Sequence, residues 1–450
     1  MAAARGEFSS RFGFIMAAAG SAVGLGNIWG FPTQAASNGG AAFLLVYLLL
    51  AFILAYPALM AELIIGRHTH ANAVRALQQI SPNTPVRVFG KAAGIVGLVV
   101  ASLILSFYAI VAGWMIAYCV SSFATLLGLE SATAWLVSTG FTRDVLFMLF
   151  FMGLTVAIIA RGVQDGIERW SARLMPILVL TLVLLVVYVL TLEGAMEGLR
   201  VYLLPDFERA LSPELILKAL GSSFFSLSLG VGTMLIYGSY IDDKQNLPVM
   251  GGMVTLVDTS FAVLAGFLVL PAMYVALHNG VEIFGAGGEL LSEDTLVFSV
   301  LPELFTTMGP TGILVSIMFF FLMTIAALTS SISMLEVPVA YCIEEHQVPR
   351  KIGVYVIGAA ISLISTVILL NFDVLFGLVV SATTRYSQPL LGLVICIYAG
   401  WMLSRDKLLQ ELRKGNPEIE QGWFWKIWPW WVRVVCPTII LAIFAQSFWG

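Results

Sequence analysis

Charge is scarce in this chain: of 450 residues only 11% are Asp, Glu, Lys or Arg, against roughly 25% in an ordinary soluble domain. That deficit excludes a protein whose whole surface faces water. Histidine and cysteine are sparse as well, four of each. Cys119, Cys342, Cys396 and Cys436 stand far apart in or beside apolar runs, which fits small core residues and not a disulfide framework or a metal cluster. His68, His70, His278 and His346 fall in loops or at helix ends, so no Ser/His/Asp constellation can be assembled. His68 and His70 form an i, i+2 pair that reads as part of a solvated loop sooner than as a metal site. An enzyme is therefore the least favoured class. The basic stripe that nucleic acid requires is also missing, and the formal net charge is −4.

What is abundant is apolar: 59% of the chain is hydrophobic and the mean hydropathy is +0.93. A membrane-spanning helix takes about 20 such residues, so about eleven spans with short connections use up nearly the whole chain. Apolar runs and breaker residues place helices at 11–36, 41–66, 88–125, 143–160, 169–192, 213–240, 248–277, 308–343, 352–370, 374–403 and 430–448. The stretch Met1 to Arg11 has no cleavage site behind a short apolar region, so the first helix is read as a mature span. Residues 67–91 carry Arg67, Arg75, Arg87 and Lys91 with no acid. Residues 279–303 carry Glu282, Glu289, Glu293, Asp294 and Glu303 with no base. By the positive-inside rule the former loop is cytoplasmic and the latter external, with the N-terminus inside the cell. The long stretch 279–307 is expected to fold back as a short helical lid over the external face.

Two helices have weak centres. The first contains Gly20-Ser21-Ala22-Val23-Gly24-Leu25-Gly26-Asn27, and the sixth contains Phe225-Ser226-Leu227-Ser228-Leu229-Gly230-Val231-Gly232. Each glycine lowers helix stability by about 1 kcal/mol relative to alanine, so both are expected to unwind there. Irregular backbone at membrane depth survives only inside protein or along a cavity. Because the breaks lie five helices apart, the chain reads as two five-helix repeats of opposite topology, 11–192 and 213–403, with an additional helix at 430–448. The whole, 1–450, is one transporter domain. Small residues that merely permit close helix packing are the competing account of either motif alone.

An opened helix offers amides at one half-helix N-terminus and carbonyls at the other half's C-terminus, suited to a carboxylate and a hard cation respectively. Hydroxyl and amide residues cluster in register: Asn27, Ser226, Asp258, Thr329 and Ser330. No one of them supplies enough oxygens for a sodium ion, so a cage has to be shared among helices. Asp258 is an acid inside an apolar helix, which by default implies a cation, a proton or a basic partner. Glu62 and Glu336 are expected to be structural, and Arg385 is assigned no role.

The run Gly20 to Asn27, continuing through Ile28-Trp29-Gly30-Phe31-Pro32 and Asn38-Gly39-Gly40-Ala41-Ala42-Phe43, resembles the neurotransmitter:sodium symporter family with its bacterial LeuT-like members. Further similar stretches are Ser106-Phe107-Tyr108 with Gly113-Trp114, Phe224-Phe225-Ser226-Leu227-Ser228, and Ala326-Ala327-Leu328-Thr329-Ser330-Ser331. The resemblance implies an all-α, LeuT-like 5+5 inverted-repeat bundle in the inner (plasma) membrane. It implies a sodium-coupled symporter importing an α-amino acid by alternating access: one sodium would be held by Ala22, Asn27, Ser226, Asp258 and the substrate carboxylate, a second by Gly20, Val23, Ala326, Thr329 and Ser330. The substrate would lie against Ser21, Ala22, Leu25, Gly26, Ile104, Tyr108, Phe225, Ser226, Ser228, Val231, Ser330 and Met334. The inner gate would comprise Arg5, Tyr237, Ser239 and Glu344.

Departures from the family pattern carry further expectations. Members that take decarboxylated amines have an acid where Gly24 stands, so an intact amino acid is expected. Val231 replaces a phenylalanine and enlarges the pocket for a hydrophobic side chain. Gly30 replaces the outer-gate arginine, and Asp373 or Phe376 gives no clean acidic counterpart, so outer closure is expected to rest on Tyr108, Phe225 and the lid. Tyr47 fits a chloride ligand but Ser222 and Ala262 do not; with Asp258 supplying a fixed charge, chloride independence is expected. Partners are a small amino acid and the lipid bilayer, with a homodimer permitted. Proton coupling through Asp258, or a non-transporting receptor or channel on the same scaffold, stays open.

Overall fold

The computed structural model describes residues 6–204, 212–285, 291 and 295–449. In order the principal elements are α1 (Arg11–Ala22), α2 (Gly26–Ser37), α3 (Ala41–Thr69), α4 (Thr84–Leu126), α5 (Phe141–Ile159), α6 (Val163–Val189), α7 (Pro213–Ser226), α8 (Thr233–Gly238), α9 (Leu247–His278), α10 (Leu296–Thr307), α11 (Pro310–His346), α12 (Arg350–Leu370), α13 (Phe372–Met402), α14 (Arg405–Arg413), α15 (Trp423–Trp430) and α16 (Cys436–Trp449). Among the described residues, α3, α4, α5, α6, α9, α11 and α12 are each long and apolar enough to cross a membrane. The bent pairs α1/α2 and α13/α14 bring the total to nine. The expected sixth span is divided between α7 and α8, each too short alone, and the expected eleventh corresponds to α15 and α16.

Local chemistry explains where these helices start. Ser10, Asn83, Ser212, Asn246 and Ser404 each accept a hydrogen bond from a backbone N–H of the first turn that follows, satisfying a donor the helix cannot satisfy itself. Five prolines follow a locally widened turn, whereas Pro176, Pro271, Pro338 and Pro429 sit inside helices without one. The π-helical turns Gly26–Gly30, Ala51–Ala55, Leu296–Val300, Ser381–Ser387 and Trp431–Val435 all end two residues before a proline: Pro32, Pro57, Pro302, Pro389 and Pro437. A proline ring clashes with the carbonyl four residues back and lacks an N–H, and a locally widened turn relieves both.

Long α4 and α11 pack against each other over much of their length, and α1 lies against α6, α9 and α11. Large apolar side chains face outward in numbers no water-soluble surface would carry, including Leu146, Leu149 and Phe150 on α5 and Leu180, Leu184 and Val187 on α6. Lipid is the solvent for these faces. The expected lid lies partly outside the described residues, at 286–290 and 292–294. Its described helical part is α10, whose Phe298 ring meets Trp29 at 5.8 Å, Trp114 at 5.5 Å and Tyr118 at 5.4 Å between centroids.

At the opposite end, polar α14 turns 98° from α13 and lays Glu411 against α3. Arg67 donates to the Glu411 carboxylate at 2.6 Å and Lys414 reaches it at 3.0 Å. Burial alone pushes the Glu411 carboxyl up, but His68, Arg67 and Lys414 outweigh it and hold it at about 2. A carboxyl lowered by folding contributes stability that is full above the ordinary carboxylate range and is lost as the pH falls towards the folded value. Glu411→Gln is therefore expected to lower the Tm of the purified protein near neutrality, with the gap from wild type closing between about pH 5 and about pH 2.

Candidate functional site

α1 ends at Ala22 and the π turn of α2 begins at Gly26, with a 58° bend between them. α7 ends at Ser226 and α8 begins at Thr233; between them Ser228 (φ 53°), Gly230 (φ 84°) and Gly232 (φ 81°) take left-handed backbone. Both predicted breaks are present and face each other. At Gly230 a side chain is excluded twice over, by its positive φ and because a Cβ there would stand 2.2 Å from the Gln388 carbonyl oxygen on α13. Glu62 of α3 anchors this segment, accepting from the Gly230 N–H at 2.7 Å and the Leu235 N–H at 3.2 Å. Its role is structural.

The first expected ion cage is assembled around Asp258, which is buried on α9. Asn27 Nδ2 donates to Asp258 Oδ1 at 2.7 Å and to Ser226 Oγ at 2.8 Å, and Ser226 Oγ donates to Asp258 Oδ2 at 2.8 Å. Tyr47 adds a hydroxyl to Ser226 Oγ at 3.1 Å, and the Gly24 N–H donates to Asn27 Oδ1 at 3.2 Å. Among the described residues the carboxylate has an amide and a hydroxyl, and no cationic side chain, as side-chain hydrogen-bonding partners. Buried charge in that setting favours an added cation.

The second expected cage forms where α1 stops. Ser330 Oγ lies 3.3 Å from the Gly20 carbonyl, 3.2 Å from that of Ser21 and 3.2 Å from that of Val23. Thr329 Oγ1 lies 3.0 Å from the Ala326 carbonyl. The Gly20, Ser21 and Val23 carbonyls are ones a continuous first helix would have consumed, and two hydroxyls lie among them, a set of oxygens suited to a hard cation.

Between the two cages lies a cavity lined by all twelve expected substrate residues: Ser21, Ala22, Leu25, Gly26, Ile104, Tyr108, Phe225, Ser226, Ser228, Val231, Ser330 and Met334, together with Gly24, Asn27 and Gln388. The Leu25 N–H donates to the Tyr108 hydroxyl at 3.1 Å, which sets a freed amide and a hydroxyl side by side at the cavity wall. A Cβ at Gly24 would lie 2.7 Å from Ser330 Oγ and 2.8 Å from the Tyr108 hydroxyl, so a side chain at this position would have to displace both hydroxyls. Phe225 is half-exposed and its ring stands over Gly26.

At the inner-gate positions the structure is partial. Arg5 lies outside the described residues. Among the described residues Phe8 packs there, its ring edge-on to Tyr237 at 5.6 Å and its N–H donating to the Tyr240 carbonyl at 3.0 Å. Ser239 lies in the turn behind α8, and its carbonyl is 3.2 Å from His70 Nδ1. Glu344 accepts from both the backbone N–H and Nδ2 of Asn72 at 2.9 Å. Sequence reasoning missed Asn72, and it missed Glu168, which receives Ser9 and Ser10 and ties down the segment before α1. It also missed Gln388, whose only signal was a carboxamide inside an apolar helix.

Two mid-depth helix breaks facing one cavity, with freed carbonyls, freed amides and a buried carboxylate around it, define a secondary transporter of the broken-helix class. The chain matches the model of the sodium:neurotransmitter symporter family over residues 5–146 and 138–449 and belongs to that family. It is a multi-pass, sodium-dependent membrane transporter and not an enzyme. It is 36% identical to the uncharacterized sodium-dependent transporter YhdH of Bacillus subtilis, over 97% of this chain and 96% of that one. It is 30% identical to an uncharacterized sodium-dependent transporter of Haemophilus influenzae, over 98% of each. The crystal structure of MhsT in complex with L-phenylalanine superposes with a TM-score of 0.83 at 35% identity, covering 98% of this chain and all of that one.

Proposed function

We propose that the protein imports a hydrophobic α-amino acid together with two sodium ions, without chloride, by alternating access. The observation that carries this reading is the shared cavity, where Tyr108, the Leu25 N–H and two oxygen-rich cages surround one space. The substrate carboxylate would accept from Tyr108 and the amides near Leu25 and Gly26, and complete the cage of Ala22, Asn27, Ser226 and Asp258. The second ion would join Gly20, Val23, Ala326, Thr329 and Ser330, tying α1 to α11. Each ion thus bridges elements from both repeats, 11–192 and 213–403, so occupancy of the cages favours one relative placement of the repeats over another. The apolar lining of Ile104, Val231 and Met334 and the bound L-phenylalanine of the similar MhsT support a hydrophobic side chain.

Chloride is dispensable in this reading because Asp258 already supplies a negative charge beside Tyr47 and Ser226. The N-terminus would lie in the cytoplasm, where Phe8 would help close the inner side together with the proposed gate residues Arg5, Tyr237, Ser239 and Glu344, and Phe225, Tyr108 and α10 would close the outer side. Reconstituted into liposomes, the protein is expected to accumulate labelled amino acid under an inward sodium gradient, equally well in chloride and in gluconate. Uptake driven by a proton gradient without sodium would overturn the coupling, and strong loss in gluconate would overturn chloride independence.

A further inference from the structure

The π turn Ser381–Ser387 widens α13 just ahead of Pro389, and the residue it delivers to the cavity wall is Gln388. Gln388 is 3% exposed, and its Oε1 is wholly enclosed with no hydrogen-bond partner among the described residues. Its backbone carbonyl sits against Gly230, beside Val231, so α13 meets the cavity where the sixth helix is unwound and where the lining turns apolar. An enclosed carbonyl oxygen without a donor is costly, and native proteins leave few of them. This one borders a space that a substrate is proposed to fill.

We propose that Gln388 is a specificity-determining residue that accepts a hydrogen bond from the substrate's side chain, so that the site prefers an aromatic amino acid with a ring donor, tryptophan or tyrosine, over one without. The inference rests on the amino-acid reading of the cavity given above and adds the chemistry of the side-chain tip. Phenylalanine and leucine fill apolar space but leave Oε1 unpaired. An indole N–H or a phenol O–H satisfies it. A site built to pair with a donor rejects the analogue lacking it, because the buried acceptor is then stranded.

The test is sodium-dependent binding to the purified protein of two matched pairs: tryptophan against its sulfur isostere 3-benzothienylalanine, which lacks the N–H, and tyrosine against phenylalanine. Wild type is expected to favour the donor-bearing member of at least one pair by about tenfold. In Gln388→Leu that ratio is expected to fall to near one while phenylalanine binding persists, which also shows the variant to be folded. Equal affinities within both pairs in wild type, or a preference undiminished in Gln388→Leu, would overturn the role of Gln388 while leaving the amino-acid reading intact. If none of the four ligands binds in a sodium-dependent manner, both readings fall. Should the variant not fold, equal affinities within both pairs in wild type still overturn the proposal, and Gln388→Glu, which keeps an acceptor, is expected to retain the preference.

Discussion

Asp258→Ala is expected to abolish sodium-dependent amino-acid binding, and Asp258→Asn to retain part of it. The reason lies in the hydrogen bonds around the carboxylate. Both oxygens are held by Asn27 and Ser226, neither of which brings a charge. A bound sodium ion would supply the missing positive charge, and removing the carboxylate would leave the ion with neutral ligands in a site sealed from water. A loss of at least about 100-fold in apparent sodium affinity is the expected scale for an uncompensated buried charge. Asparagine keeps one carbonyl oxygen in place and so keeps part of the cage. Titration of sodium against binding of labelled amino acid measures this, with the Tm of each variant as the control for folding. Wild-type binding in both variants would remove Asp258 from the ion site.

Arg350→Ala is expected to produce the largest loss of stability away from the cavity. Glu336 is buried within α11 and accepts from Arg350 Nη1 at 3.0 Å, from Arg350 Nη2 at 2.5 Å and from the Tyr240 hydroxyl at 2.7 Å. Arg350 Nε also donates to the Ile159 carbonyl at 2.9 Å, so one guanidinium joins α5, α11 and α12. Breaking a buried pair by removing one partner costs about 3–5 kcal/mol, because the other charge is stranded. Replacing both with apolar residues avoids that penalty. The double variant Glu336→Leu/Arg350→Met is therefore expected to melt well above Arg350→Ala in the same detergent. Equal melting of Arg350→Ala and wild type would show that the pair contributes nothing.

The parts of the site that were legible in the sequence are those whose cause is local. Gly20 to Asn27 and Phe225 to Gly232 announce their breaks because closely spaced glycines and small polar residues weaken a helix locally, and Asp258 announces itself as an acid in an apolar run. The resemblance then brought Ala326, Thr329 and Ser330 to the same place, and the structure sets them against the end of α1. What was not legible depends on contacts far apart in the chain. Asn72 and Glu344 meet across 272 residues, and Ser9 and Glu168 across 159. Glu336 could be read as structural, but its partner Arg350 lies beyond the end of α11 and no periodicity points to it. Gln388 needed one more fact, since the face it presents depends on a π turn that shifts the helix register by a residue. Apolar periodicity assumes a regular helix and misses that shift.

The central claim is that the two broken helices bind sodium and an amino acid as a unit. It is tested most directly by measuring the affinity of the purified protein for labelled hydrophobic amino acid as sodium is raised at constant ionic strength with potassium, pH and chloride held fixed. Coupling through a shared cage predicts that affinity rises steeply with sodium, and by linkage that the apparent sodium affinity rises by the same factor when amino acid is added. Amino-acid binding that is the same in sodium and in potassium would contradict the account.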